Sequence, residues 1–174
     1  MNPLSHQTSP LRALQFASAA HEAEGQTWGE FPYSEHLIRV YETLRRVGVD
    51  NEFVLVAAIL HDVLEDTLVS PAELKSEFGP LVYDLVESVT GRGANRRERN
   101  KDIADKCRGS WGRTAIKLAD RVVNVELGGK LGMYADEHFE FIADLYEEEV
   151  FQDSVVVKLA GILDAALAKW VASK

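Results

Sequence analysis

Residues 53–60, Phe-Val-Leu-Val-Ala-Ala-Ile-Leu, form an apolar run with the composition of a buried helix. His61, Asp62, Glu65 and Asp66 follow within six residues, four groups able to bind a metal or move a proton. Residues four apart share one face of a helix, so a continuous helix predicts His61 stacked with Glu65 and Asp62 with Asp66. Three carboxylates crowded in apolar surroundings repel one another and lose hydration. A divalent cation removes that penalty. The stretch 57–67 therefore predicts a metal site at the C-terminal end of a buried helix.

The rest of the chain bounds what can surround that site. With 174 residues, 46% hydrophobic and 27% charged, it is expected to be one globular domain, 1–174, with a sizeable core. A net charge of −9 argues against a nucleic-acid partner, which needs a basic face, but a bound metal can still attract a small anion. Cys107 is the lone cysteine, so no intrachain disulfide forms, and it is expected to be a small helix residue in a reducing compartment. No basic segment followed by an apolar one opens the chain, and its apolar runs are too short to span a bilayer. A cytoplasmic protein with no membrane partner is expected.

The periodicity predicts an all-α fold. Helical spacing runs over 10–23, and a loop punctuated by Gly and Pro follows over 24–33. Ser34 is a candidate cap for a helix carrying His36, Leu37, Val40, Tyr41 and Leu44, which Gly48 ends. Asp50 can cap the helix leading to His61. Ser70-Pro71-Ala72-Glu73 reads as a capping box for a short helix to Phe78, broken by Gly79-Pro80 and resumed over 81–89. Residues 91–101 are the one basic island. Their arginines suit contact with phosphate or a carboxylate-rich surface, or a solvated loop leading into a helix. Gly128, Gly129 and Gly132 are breaks, and 139–150 and 154–171 read as two closing amphipathic helices whose apolar faces leave a homodimer open. Glu147-Glu148-Glu149 reads as solvated surface. His6, His21 and His138 are expected to be structural or surface groups.

Two imidazoles and two carboxylates, from His36, His61, Asp62 and Asp120, suit Mn²⁺, Fe²⁺, Co²⁺ or Zn²⁺. Asp120 sits in an apolar context that predicts burial, where a carboxylate needs a partner; a Lys117–Asp120 ion pair is the alternative to metal binding. Glu65 and Asp66, one turn beyond the ligands, can hold a water or shuttle its proton.

His36, His61-Asp62 and Asp120 resemble, in order and spacing, the HD-domain metal-dependent phosphohydrolases. The closer similarity is to the hydrolase domain of RelA/SpoT-type alarmone enzymes and their stand-alone relatives. It is carried by Pro32-Tyr33 with His36, by 57–67, by Phe78-Gly79 with 86–90, and by 116–124, within about 16–127 of the chain. The closing helices lie within 134–172. The resemblance implies a Mn²⁺ ion on His36, His61, Asp62 and Asp120. It implies Glu65 and Asp66 as the pair activating the water that releases the 3′-pyrophosphate of (p)ppGpp. It also implies a nucleotide contact at Asn124 and a small, hydrolase-only form. Arg92, Arg96, Arg97, Arg99 and Lys101 are candidate phosphate contacts. One departure bears on substrate: family members carry an Arg-Lys pair before Pro-Tyr, whereas Gln26-Thr27-Trp28-Gly29-Glu30 has no positive charge. Trp28 is either a base-stacking platform or a packing residue. The competing readings are an HD phosphohydrolase acting on a nucleoside monophosphate or the 2′-phosphate of NADPH, and a module that senses a nucleotide without hydrolysing it.

Overall fold

The computed structural model describes residues 9–127 and 129–172, so the expectations for His6 and Gly128 lie outside the described residues. The regular elements among the described residues are helices apart from one short ribbon, and the fold is all-α. None of the described helices is long and apolar enough to cross a membrane. Where the sequence suggests one domain over 1–174, the chain divides into two compact units, one through Thr90 and one from Gly91.

The first unit is built around α3 (Glu52–Leu60). Every residue from Val54 to Leu60 is buried, because α1 (Pro10–Ala23), α2 (Ser34–Val47) and α5 (Pro71–Val89) all pack on it. A helix that is apolar all round is stable only when covered this way, each Val, Leu or Ile contributing on the order of 1.5–3 kcal/mol. Its cap is Asn51, whose side chain accepts from the Val54 N–H at 3.2 Å, rather than Asp50. Thr27–Trp28 (β1) and Phe31–Pro32 (β2) pair antiparallel inside the expected loop. This ribbon is too short to leave a period in the sequence, and it delivers Tyr33 as the residue before α2. Ser34 is accordingly the first helical residue and not the cap.

In α5, Ser70 caps through the Glu73 N–H and Pro71 follows it. Gly79, at φ 82° and ψ 169°, kinks the helix where Gly79-Pro80 predicts a break. That backbone region is nearly closed to residues with a Cβ. The substitution Gly79→Ala is expected to destabilise the protein by about 1–3 kcal/mol although no atom lies within 4 Å of the added methyl. Urea denaturation measures it, and an unchanged midpoint would count against the strain.

The second unit contains α6 (Arg96–Cys107), α7 (Trp111–Glu126), α8 (Leu131–Leu145), a 3₁₀ turn (Val150–Gln152) and α9 (Ser154–Ala172). The second expected closing helix is thus α9. The first begins earlier and ends at Leu145. The arginine island is a loop leading into a helix, as one of its readings has it: Asn95 accepts from the Glu98 N–H and α6 starts at Arg96. α7 packs against α9, whose Val155, Val156, Leu159 and Leu163 are buried at helical spacing. Cys107 is buried, and burial pushes its thiol up to about 12, so it is a packing residue as expected.

Candidate metal centre

The apolar helix does not run on through the acidic stretch. α3 ends at Leu60, Asp62 falls to ψ −5°, and a single turn, α4 (Val63–Asp66), follows. The i, i+4 pairs of a continuous helix are therefore not what assembles the site. The break instead lets two consecutive side chains converge, which a regular helix forbids because neighbours point about 100° apart. His61 Nε2 lies 2.8 Å from Asp62 Oδ2. Its other nitrogen, Nδ1, lies 2.8 Å from the Ala58 carbonyl oxygen.

That second contact decides the tautomer. A carbonyl only accepts, so Nδ1 carries a proton, and Nε2 is the nitrogen whose lone pair a neutral ring offers to an ion. The lone pair faces Asp62 Oδ2 and, at 3.3 Å, the Nε2 of His36 from α2. His36 Nε2 is in turn 3.6 Å from Asp62 Oδ2. Both imidazoles are buried, at 1% and 2% exposure. Among the described residues, these three side chains form a cluster whose ligating atoms lie within 4.8 Å of one another. Electron-rich atoms held this close need a proton or a cation between them. Adjacent ligands of an ion with bonds near 2.1 Å stand roughly 3 Å apart, so the spacing suits a divalent metal. The donor set fits.

The surroundings hold the cluster's parts in place. Tyr33 donates its hydroxyl to Asp62 Oδ2 at 2.5 Å. The Tyr33 ring stacks on His21, centroids 4.2 Å apart, and meets His36 edge-on at 5.5 Å. Gln26 donates from Nε2 to the Asp66 carbonyl at 2.5 Å, which turns its Oε1 toward His21 Nδ1, also 2.5 Å away. His21 is a structural group as expected; burial lowers its pKa from 6.5 against the opposing hydrogen bond it donates to Gln26, so it is neutral at pH 7. Trp28 is buried at 9% exposure, tilted against His36 at 5.6 Å with Arg39 over its ring at 6.0 Å. The ring is a packing residue here, not an open stacking platform. Glu65 and Asp66 are exposed and are the last two residues of α4.

In the second unit, Asp120 is buried at 4% exposure. Lys117 donates to its Oδ2 at 2.9 Å and Asn124 to its Oδ1 at 2.6 Å, so the ion pair weighed as the alternative to metal binding is formed. The side-chain nitrogen of Asn124 is thereby engaged by Asp120. Arg96 grips Glu137 with two bonds, 2.6 and 2.9 Å, and Arg97 reaches Glu140 at 2.7 Å. These two candidate phosphate contacts are ion-paired to α8. Arg92 and Lys101 are exposed, and Arg99 is half-buried. His138, expected to be structural, finds Asp164 at 2.7 Å.

A model of the HD domain matches residues 13–131. That span covers more than half of the chain and carries His36, His61-Asp62 and Asp120 in order. The chain belongs to the HD-domain family. Among relatives of this HD-domain protein, the guanosine-3′,5′-bis(diphosphate) 3′-pyrophosphohydrolase of Aquifex aeolicus is 36% identical over 128 residues. The match covers 70% of this chain and 18% of that one. The enzyme of the same description in Drosophila melanogaster is 35% identical over 119 residues, 66% of each chain. The chain thus spans less than two thirds of the length of either relative. A solved structure described as a metazoan ortholog of SpoT that hydrolyses ppGpp superposes with a TM-score of 0.71 at 27% identity, covering 92% of this chain and 94% of the other. A Listeria monocytogenes structure at 24% identity and TM-score 0.59 shares the fold.

Sequence pattern assigns Tyr33 no role and leaves His21 unconnected to the site. The signal for Tyr33 was its place beside His36 in the resembling motif, but its partner lies 29 residues away and leaves no local pattern.

Proposed function

We propose that this HD-domain protein is a metal-dependent phosphohydrolase that removes the 3′-pyrophosphate of (p)ppGpp. The observation that carries it is the convergence of His36 Nε2, His61 Nε2 and Asp62 Oδ2 immediately before the acidic pair Glu65-Asp66. The relatives named as hydrolases of this nucleotide support the substrate.

Water attacks the phosphorus attached to the ribose 3′-oxygen, that P–O bond breaks, and GDP or GTP leaves with pyrophosphate. His36, His61 and Asp62 hold the ion, with Asp120 as the fourth ligand that the family pattern implies. When bound, the ion, Mn²⁺ on the family's pattern, polarises a phosphoryl oxygen and acidifies water. Glu65 and Asp66 orient the attacking water and take its proton. Gln26 steadies the backbone of Asp66 through its carbonyl, and the neutral His21 holds Gln26 in that orientation. Asn124, Arg92, Arg99 and Lys101 are the groups we assign to the nucleotide side of the reaction.

A second reading is favoured by the charge beside the ribbon. A cleft of about 520 Å³ there is lined by Glu22, Gln26, Glu30, Phe31 and Tyr33, with no lysine or arginine in its walls. Such a cleft suits a base or sugar better than a polyphosphate, and a nucleoside monophosphate or the 2′-phosphate of NADPH carries less charge than ppGpp. Pyrophosphate and phosphate release from ppGpp, nucleoside monophosphates and NADPH, with Mn²⁺ and with Mg²⁺, separates the two readings. Turnover of NADPH or a monophosphate alone selects the second. Nucleotide binding without turnover in either metal makes the protein a sensing module instead.

The acidic pair has its own test. Glu65→Gln and Asp66→Asn are each expected to lower turnover by about 10²–10⁴-fold, the usual contribution of a positioned proton acceptor, with Mn²⁺ affinity within a few-fold of the parent. Undiminished turnover in both variants would remove them from the reaction.

A further inference from the structure

Resting on that reading of the metal centre, we infer that Tyr33 is a positioning residue which selects the oxygen of Asp62 offered to the ion. The Tyr33 hydroxyl donates to Oδ2 at 2.5 Å, and Oδ2 is the same oxygen that lies 2.8 Å from His61 Nε2 and 3.6 Å from His36 Nε2. A carboxylate on a short side chain can otherwise rotate and present either oxygen, or both. A hydrogen bond to one of them, from a donor that cannot itself move, removes that freedom.

Tyr33 is such a donor. Its ring lies between His21, stacked at 4.2 Å with 23° between planes, and His36, edge-on at 5.5 Å and 66°. His21 is fixed by Gln26 on its other side, at the end of α1. The main chain at Tyr33 is held too, because its carbonyl accepts from the His36 N–H at 3.0 Å as α2 begins. One short segment thus sets the position of two ligands at once: His36 through the backbone, three residues on, and Asp62 through the phenol. The break after Leu60 makes this support necessary. Asp62 sits in a turn between α3 and α4 and receives no orientation from a regular helix.

Phenylalanine keeps the ring and its stacking while deleting only the hydroxyl, so it separates positioning from packing. Zn²⁺ affinity is measured by competition with a chromophoric chelator, because sites of imidazole and carboxylate hold Zn²⁺ more tightly than Mn²⁺ and the baseline stays readable in weakened variants. Tyr33→Phe is expected to weaken Zn²⁺ binding about 10–100-fold, with the melting curve of the metal-free protein close to that of the parent. In an Asp62→Asn background the same change is expected to do nothing further, because the hydroxyl acts through that carboxylate. Unchanged affinity in Tyr33→Phe overturns the inference, as does an equal loss in both backgrounds, which would put the action of Tyr33 elsewhere. Failure of the unsubstituted protein to bind Zn²⁺ or Mn²⁺ overturns the metal-centre reading itself, and is recognised before any variant is compared.

Discussion

Asp62→Ala is expected to abolish both divalent-metal binding and hydrolysis, a larger functional effect than the loss of either member of the acidic pair. Among the described residues, Asp62 supplies the one carboxylate oxygen in the cluster with His36 and His61, at 3.6 and 2.8 Å from their Nε2 atoms. Loss of a hydrogen bond that merely orients a ligand weakens metal binding about 10–100-fold, and loss of the ligand itself should exceed that. The effect has a thermodynamic counterpart. A metal present at about 100 times its Kd stabilises the native state by about 2.7 kcal/mol. Titrating Mn²⁺ should therefore raise the melting temperature of the parent protein and leave that of Asp62→Ala flat. When metal-free, the two proteins should differ by no more than the lost hydrogen bond from Tyr33 to Oδ2, about 1–3 kcal/mol. A normal metal-dependent rise in Asp62→Ala would remove this residue from the centre.

Glu137→Ala should have the largest effect on stability. Arg121, on α7, is buried at 1% exposure, with its guanidinium 3.9 Å over the Phe141 ring and 4.6 Å over that of Tyr134. Its ion-pair partner is Glu137 on α8, at 2.9 Å, which also takes the two bonds from Arg96 on α6. One carboxylate thus ties three helices of the second unit together. Removing it takes the ion-pair partner from a buried guanidinium, at a cost of about 3–5 kcal/mol by urea denaturation. Replacing both partners, as Arg121→Met with Glu137→Leu, should recover much of that loss, because burying two charges is itself expensive. If Glu137→Ala loses less than about 1 kcal/mol, the pair does not organise the unit.

The same carboxylate gives a pH dependence. Burial acts to raise the Glu137 pKa, but the hydrogen bond from Arg96 and the charges of Arg121 and Arg96 outweigh it and hold the group below its ordinary 4.5. An acid depressed in the folded state stabilises it fully above the unfolded value, and that contribution is lost as pH falls through the folded one. Stability should therefore fall below about pH 4.5 in the parent, and fall less steeply over that window in the Arg121→Met, Glu137→Leu double variant.

Local pattern carried a good deal of this protein. The run from Val54 to Leu60 has no polar residue with which to face water, so its burial followed from composition alone. Pro10, Ser70 with Glu73, and Gly79-Pro80 mark boundaries through the chemistry of one or two residues, and each stands where that chemistry requires. The candidates His36, His61 and Asp62 were also readable, because few arrangements satisfy imidazoles and carboxylates in an apolar setting. Local pattern could not reveal that the helix stops between Leu60 and Val63, since that depends on the His61 ring taking the Ala58 carbonyl and turning toward His36, 25 residues earlier. Nor could it show which acids the arginines of the basic island meet. Arg96 and Arg97 find theirs 41 and 43 residues away, and a basic run reads the same whether those acids are present or absent. The sequence alone determined which side chains need partners, because burial and charge are properties of residue types and their spacing. Only the tertiary structure decided who those partners are, because partnership depends on distances between segments that no periodicity records.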